Sequence, residues 1–234
     1  MRKVIYEGPE FPKLETHNIA GLRWYEVPSG DKYPSITSVL GKQPGKIDGL
    51  KKWRERVGDV QANIVSRRAA SRGTSFHHMC EDYLVEEIFD EEKHKSKNFL
   101  AWAMFGQVKK TIDERVGDIF LMEQSMYSTK YQVAGRVDLI AKFDGVPTII
   151  DWKTSTTMKK DEWNTDYYTQ CSAYADMYTE HTGEMIEDLA IVMVSEAGEV
   201  EIFQKKVADY TERLGELMNE FYDNAMDRLK LAAA

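Results

Sequence analysis

Apolar positions in the first half of the chain recur at helical spacing. Between 48 and 71, Leu50, Trp53, Val57, Val60 and Ile64 fall three and four apart, which predicts one amphipathic helix. After "RGTSFHH", Thr74 or Ser75 is expected to cap a second helix whose apolar face holds Phe76, Met79, Tyr83 and Leu84. A third helix is expected over about 98–116, with Phe99, Trp102, Phe105 and Ile112. Ahead of these, 1–34 carries Pro9, Pro12, Pro28 and Pro34 and reads as an irregular or short-stranded lead-in. "YPSITSVLGK" then offers Ser35 or Thr37 as cap to a short helix with Val39 and Leu40.

Past 117 the texture changes. The stretches 119–128, 131–143 and 147–154 are rich in β-branched and aromatic residues, and Asp144-Gly145 is a tight-turn signal. They predict a three-stranded antiparallel meander. A helix over about 161–181, strands at 188–195 and 199–206 around Gly198, and a last helix over 208–229 follow. This order implies an α/β (α+β) fold with one mixed sheet. With no repeat, low-complexity tract or linker, 1–229 reads as a single domain: 1–116 mostly helical, 117–206 a sheet core, 207–229 a closing helix. The ending "LKLAAA" marks 230–234 as a cloning remnant.

The chain has 234 residues and is 42% hydrophobic, enough for one sizeable core. No apolar run approaches the ~18 residues that span a bilayer, and "MRKVIYEGPEF" lacks a signal-peptide core, so a soluble, cytoplasmic protein is expected. Two cysteines, Cys80 and Cys171, cannot build a four-cysteine zinc or iron–sulfur site and read as small buried side chains. The net charge of −8 argues against a basic nucleic-acid binder. Its distribution argues otherwise: 42–72 holds nine Lys/Arg and three acids. That stripe suits a phosphate chain in a groove, or equally a solvated helix face.

The chemistry centres on "IIDWKTS". Strand period puts Asp151 and Lys153 on one face. Asp138, in "GRVDLIA", lies on the neighbouring strand. Two close carboxylates repel unless a cation binds between them, and a hard divalent ion such as Mg²⁺ or Mn²⁺ suits oxygen ligands. A lysine beside it favours phosphodiester hydrolysis. A surface ion pair is the plain alternative. His77 and Glu81 lie four apart on one helix face, and Glu123 is a possible third carboxylate. Gln170 and Tyr174 lie four apart on the helix after the lysine strand; a packed stripe of Tyr167, Tyr174 and Tyr178 is the structural reading of that helix. Candidate nucleic-acid contacts are Lys51, Lys52, Arg54, Arg67, Arg68 and Arg72, with Thr74, Arg136, Thr154 and Ser155 beside the carboxylates. Trp53 and Trp152 are possible base-stacking rings, although Trp152 points away from Asp151 on a regular strand and Trp53 is as readily a core residue.

In order, "GTSFH", "GRVDLI", "IIDWKT" and "QCSAY" resemble the PD-(D/E)xK nuclease superfamily, RecB-like exonuclease branch. With "YPSITSVLGK", the set is similar to the mitochondrial genome maintenance exonuclease group and its phage relatives, over about 33–174. The resemblance implies a restriction-endonuclease-like core with a central five-stranded sheet and a helical N-terminal region arching over the site. It implies metal ligation by His77, Asp138, Asp151 and the carbonyl of Trp152, and Lys153 as catalytic lysine. Gly-Thr-x-x-His spacing selects His77 over His78. Gln170 and Tyr174 match a Gln-x-x-x-Tyr element that supports DNA binding and active-site order, and Glu123 matches a frequently acidic position. The family's Pro-Asp is here Val-Asp. The expected activity is that of a Mg²⁺- or Mn²⁺-dependent DNA exonuclease, single-strand preferring, leaving 5′-phosphates, without an iron–sulfur cluster, and monomeric. Its rivals are a non-catalytic DNA-binding or recombination-partner module on the same fold, and a metal hydrolase of small molecules.

Overall fold

A small antiparallel sheet opens the fold, with strands in the order β1 (Glu15–Ile19), β2 (Leu22–Glu26) and β3 (Lys32–Pro34). The computed structural model describes residues 5–85 and 89–232, with the backbone alone for 225–232. The expected remnant at 230–234 therefore falls outside the described side chains, and its last two residues outside the described chain. β1 and β2 meet in a two-residue turn at Ala20 and Gly21, both at positive φ. The lead-in is thus short-stranded over 15–34, one of the two readings its sequence offered. α1 (Ile36–Gly41) follows, with Ser35 at the N-cap position. Its hydroxyl meets the Thr37 hydroxyl at 2.9 Å and caps no backbone N–H.

The helix expected over 48–71 is two helices. α2 (Pro44–Val57) starts on proline, whose missing N–H costs nothing in the first turn. It ends where Gly58 takes φ +83°, a left-handed conformation open to glycine, and α3 (Asp59–Val85) begins. The predicted apolar stripe does not enter a core: among the described residues α2 buries none, and Leu50, Val60 and Ile64 are exposed. Trp53 is half-buried. Thr74 and Ser75 cap nothing either, because α3 runs straight through them for 27 residues, roughly 40 Å. Its C-terminal half buries Phe76, Met79, Cys80 and Leu84, and that packing outweighs the cost of Gly73 in mid-helix.

α4 (Glu91–Lys97) has no counterpart in the periodicity; it is short and capped by Asp90, which accepts from the Lys93 N–H at 3.0 Å. α5 (Phe99–Arg115) lies close to expectation, capped by Asn98 through the Ala101 N–H at 3.1 Å. β4 (Val116–Ser128), β5 (Val133–Phe143) and β6 (Val146–Ser155) form the expected meander, and Asp144 and Gly145 make the tight turn at positive φ. A 3-10 turn (Asp161–Trp163) leads into α6 (Thr165–Thr182). β7 (Asp188–Ser195), β8 (Val200–Lys206) and α7 (Ala208–Ala232) complete the chain.

The five-stranded sheet has the order β4-β5-β6-β7-β8, with β6 and β7 parallel and the other pairs antiparallel. It is the expected mixed sheet flanked by helices. On one face α1, α6 and α7 bury Ile36, Tyr174, Tyr178 and Leu217 against Ile149 and Ile191. On the other, α3 and α5 bury Phe76, Phe105 and Ile112 against Ile150 and Val192. Ile149 and Ile150 thus anchor β6 to both layers, each fully buried side chain contributing about 1.5–3 kcal/mol. Cys80 and Cys171 are buried free thiols.

Candidate active site

The β5–β6 ladder pairs Phe143 with Val146 and continues to Leu139 with Ile150. Continuation of that register sets Asp138 opposite Asp151, and there the ladder stops. In place of a strand partner, the Trp152 N–H donates to the Asp138 carboxylate at 3.0 Å. Val137 and Leu139 are two apart yet pack into opposite layers, so strand alternation breaks across Asp138. Asp151 and Lys153 project toward α6, as period two requires. Gln170 of α6 donates to Asp151 Oδ1 at 2.9 Å. Asp151 Oδ2 is buried and paired with the Lys153 ammonium. The Trp152 ring turns the other way, 2% exposed in the α3–α5 layer, which rules it out as a base-stacking platform.

α3 supplies the imidazole. His77 Nδ1 stands 3.3 Å from Asp138 Oδ2. Glu81 does not join it: its carboxylate faces His78 at 3.4 Å. β4 supplies Glu123, which lies between the paired Met122 and Gln124 and so opposite Asp138. Its φ of +49° is strained for a non-glycine strand residue, and such strain persists where the surroundings hold a functional geometry. One ligand atom each from His77, Glu123 and Asp138 lie within 4.8 Å of one another. This triplet shares His77 and Asp138 with the His77, Asp138, Asp151 and Trp152 set implied by resemblance and adds Glu123, while Asp151 is engaged by Lys153 and Gln170.

Burial pushes the Asp151 carboxyl up to about 6, the Asp138 charge adding to it and the Lys153 ammonium opposing. Burial also disfavours an ionised Asp138, but His77 and Lys153 outweigh it and hold that carboxyl below its usual range. Burial opposes the His77 imidazolium, yet the facing Asp138 carboxylate raises its pKa. Lys153 is likewise raised, Asp151 and Asp138 overcoming the burial that opposes it. Glu123 is raised by burial and then by Asp138, against the Arg136 guanidinium at 2.9 Å. Three convergent oxygen and nitrogen ligands, beside the buried Asp151 carboxylate, fit a divalent cation.

These groups open into a cleft of about 270 Å³ walled by Thr74, His78, Arg136, Gln170 and Tyr174. Arg23, Tyr25, Ser35 and Thr37 close its other side; only "YPSITS" hinted at this contribution in the sequence. A larger groove of about 630 Å³, lined by Ile47, Leu50, Lys51 and Arg54, lies between α1, α2 and α3 and, among the described residues, holds no comparable cluster of ligands. Gln170 and Tyr174 are buried, and Gln170 also donates to the Tyr174 hydroxyl at 3.2 Å, so their direct contact is with Asp151 and each other.

The candidate strand contacts divide. Lys51, Lys52, Arg67 and Arg68 are exposed. Arg54 bonds Asp59 at 2.6 Å and Asn63 at 3.0 Å. Arg72 is buried, donating to the Thr154 hydroxyl at 3.2 Å and pairing with Glu196. It is a clasp between α3 and the ends of β6 and β7, not an open cation, and it occupies the Thr154 side chain. Ser155 is half-buried, and its carbonyl accepts from the Glu196 N–H at 3.0 Å.

No curated protein matches the chain. Among solved structures, the crystal structure of an exonuclease candidate from Eubacterium rectale is similar, at 12% identity and a TM-score of 0.43. The match covers 66% of this chain and spans 66% of that protein's length. The family model for the PD-(D/E)XK nuclease superfamily matches residues 48–231, a span that includes His77, Glu123, Asp138, Asp151, Lys153 and Gln170. With most of its length matched, the chain belongs to the PD-(D/E)XK nuclease superfamily.

Proposed function

We propose that residues 1–229 act as one Mg²⁺- or Mn²⁺-dependent deoxyribonuclease, an exonuclease that prefers single-stranded ends and leaves 5′-phosphates. The observation that supports it most is the convergence of His77, Glu123 and Asp138 within 4.8 Å, beside the buried Asp151–Lys153 pair. His77, Asp138 and Asp151 would hold the cation, with Glu123 or the Trp152 carbonyl as a further ligand. When bound, the cation acidifies an attacking water and neutralises phosphate charge. Gln170 orients Asp151. Lys153 would face the negative charge that develops at the phosphate. Thr74 and Arg136 at the cleft wall contact the strand, and exposed Lys51, Lys52, Arg67 and Arg68 guide it by charge.

The test is a time course on 5′- and 3′-labelled single strands, with duplex and RNA in parallel, in Mg²⁺, in Mn²⁺ and in chelator. Stepwise shortening of single-stranded DNA, stopped by chelator, is expected. Strands left intact in both metals would sink the proposal.

A further inference from the structure

The link from the catalytic strand to α6 reads "TSTTMKKDEW", 154–163. Lys159 in this link is half-buried. Its ammonium donates to the Tyr167 hydroxyl at 2.7 Å and lies 4.7 Å from the centre of the Tyr167 ring. Lys153 lies over the same ring at 4.8 Å. One tyrosine thus carries two lysines, and Lys153 is the one already paired with Asp151. Among the described residues Lys159 has no acidic partner, whereas neighbouring cations do: Lys160 reaches Glu162 at 4.0 Å, and Lys205 reaches Asp161 at 2.6 Å.

A half-buried ammonium without a counter-charge is costly, and a hydroxyl and a ring face offset only part of that cost. In a chain of net charge −8 an acidic partner would be easy to supply. A cation held near the site without one is arranged for an anion from outside. Helix spacing explains the placement: Tyr167, Gln170 and Tyr174 lie three and four apart on α6, so one helix face steadies Lys153 through Tyr167 and Asp151 through Gln170.

We propose that Lys159, held by Tyr167, binds the backbone phosphate next to the scissile one, so that α6 sets two lysines against two successive phosphates of one strand. Tyr167 is a positioning residue for both. The inference rests on the nuclease reading above, and its test separates the two. Binding of a fluorescent single-stranded oligonucleotide is measured in chelator across a salt series, and cleavage is measured in Mg²⁺. Lys159→Ala is expected to weaken binding about tenfold and to lower the slope of log affinity against log salt by about 0.7, one phosphate's worth for a single strand. Its loss in cleavage falls on KM more than on kcat. Lys159→Arg keeps the wild-type slope. Tyr167→Phe, which loses only the hydroxyl, shows part of the KM increase, and Tyr167→Leu lowers kcat as well because Lys153 loses its ring. A merely structural lysine would leave the salt slope unchanged. A wild type that cuts strands while Lys159→Ala shares its slope and KM overturns this inference alone. A wild type that neither binds nor cuts overturns the nuclease reading with it.

Discussion

Asp151 is 1% exposed, between a lysine and a glutamine, with its carboxyl pushed up to about 6. A cation needs that carboxylate ionised. As pH rises through about 6 the Asp151 proton leaves and cation affinity rises. Below it the proton competes, and the raised His77 adds an imidazolium over a range reaching above pH 6.5. Both effects have one sign, so affinity falls as pH falls, by up to about tenfold per unit for each proton displaced. Calorimetric titration of Mn²⁺ at pH 5, 6, 7 and 8 checks this; a flat affinity contradicts it. Lys153→Ala removes a cation from developing phosphate charge and is expected to slow cleavage about 10²–10³-fold. Single-turnover rates measure it, and a loss under threefold would exclude the lysine from the chemistry. The carboxylates and this lysine were legible because a two-residue period needs no tertiary information. The Glu123 backbone twist and the break at Asp138 were not, since both arise from pairing between strands.

At the scale of elements, α6 and β5 meet at Gly135. A Cβ there would come within 2.6 Å of Tyr174 Cε1 and 3.2 Å of Ile36 Cγ2. Gly135→Ala is expected to cost about 1–3 kcal/mol from overpacking. It also displaces the Tyr174 hydroxyl that takes the Gln170 N–H, so activity should fall with stability. Denaturant midpoints and cleavage rates measured on the same variant separate the two effects. Helix boundaries proved the least legible feature. Thr74 and Ser75 have the chemistry of a cap, but local cap preference, worth about 1 kcal/mol, yields to the packing of Phe76, Met79 and Leu84 that carries α3 onward.

At the scale of the whole molecule, Arg72 joins α3 to the ends of β6 and β7 through Thr154 and Glu196. Arg72→Ala leaves both partners unmatched and is expected to lower stability by about 1.5–3 kcal/mol, read from urea midpoints. Its salt slope for strand binding should stay at the wild-type value, because the guanidinium is already engaged. α2 behaves in the opposite way. Leu50 is 54% exposed, so Leu50→Ser should change stability by less than about 0.5 kcal/mol. A larger loss would mean that a surface beyond the described residues covers it.

Period and turn chemistry alone determined the order of the three-stranded meander, the tight turn at Asp144-Gly145, the phase of Asp151 and Lys153, and the ordered motifs that resemble the family. Each depends on neighbours in sequence. Tertiary structure alone decided which charges are free. Arg72 and Lys159 look alike in sequence, both basic and both near hydroxyl residues; one is buried against Glu196, and the other is held by a tyrosine with no acid among the described residues. It also decided that Leu50, Val60 and Ile64 face outward. Periodicity reports that a helix has an apolar face, and only the packing of distant segments determines whether anything covers it.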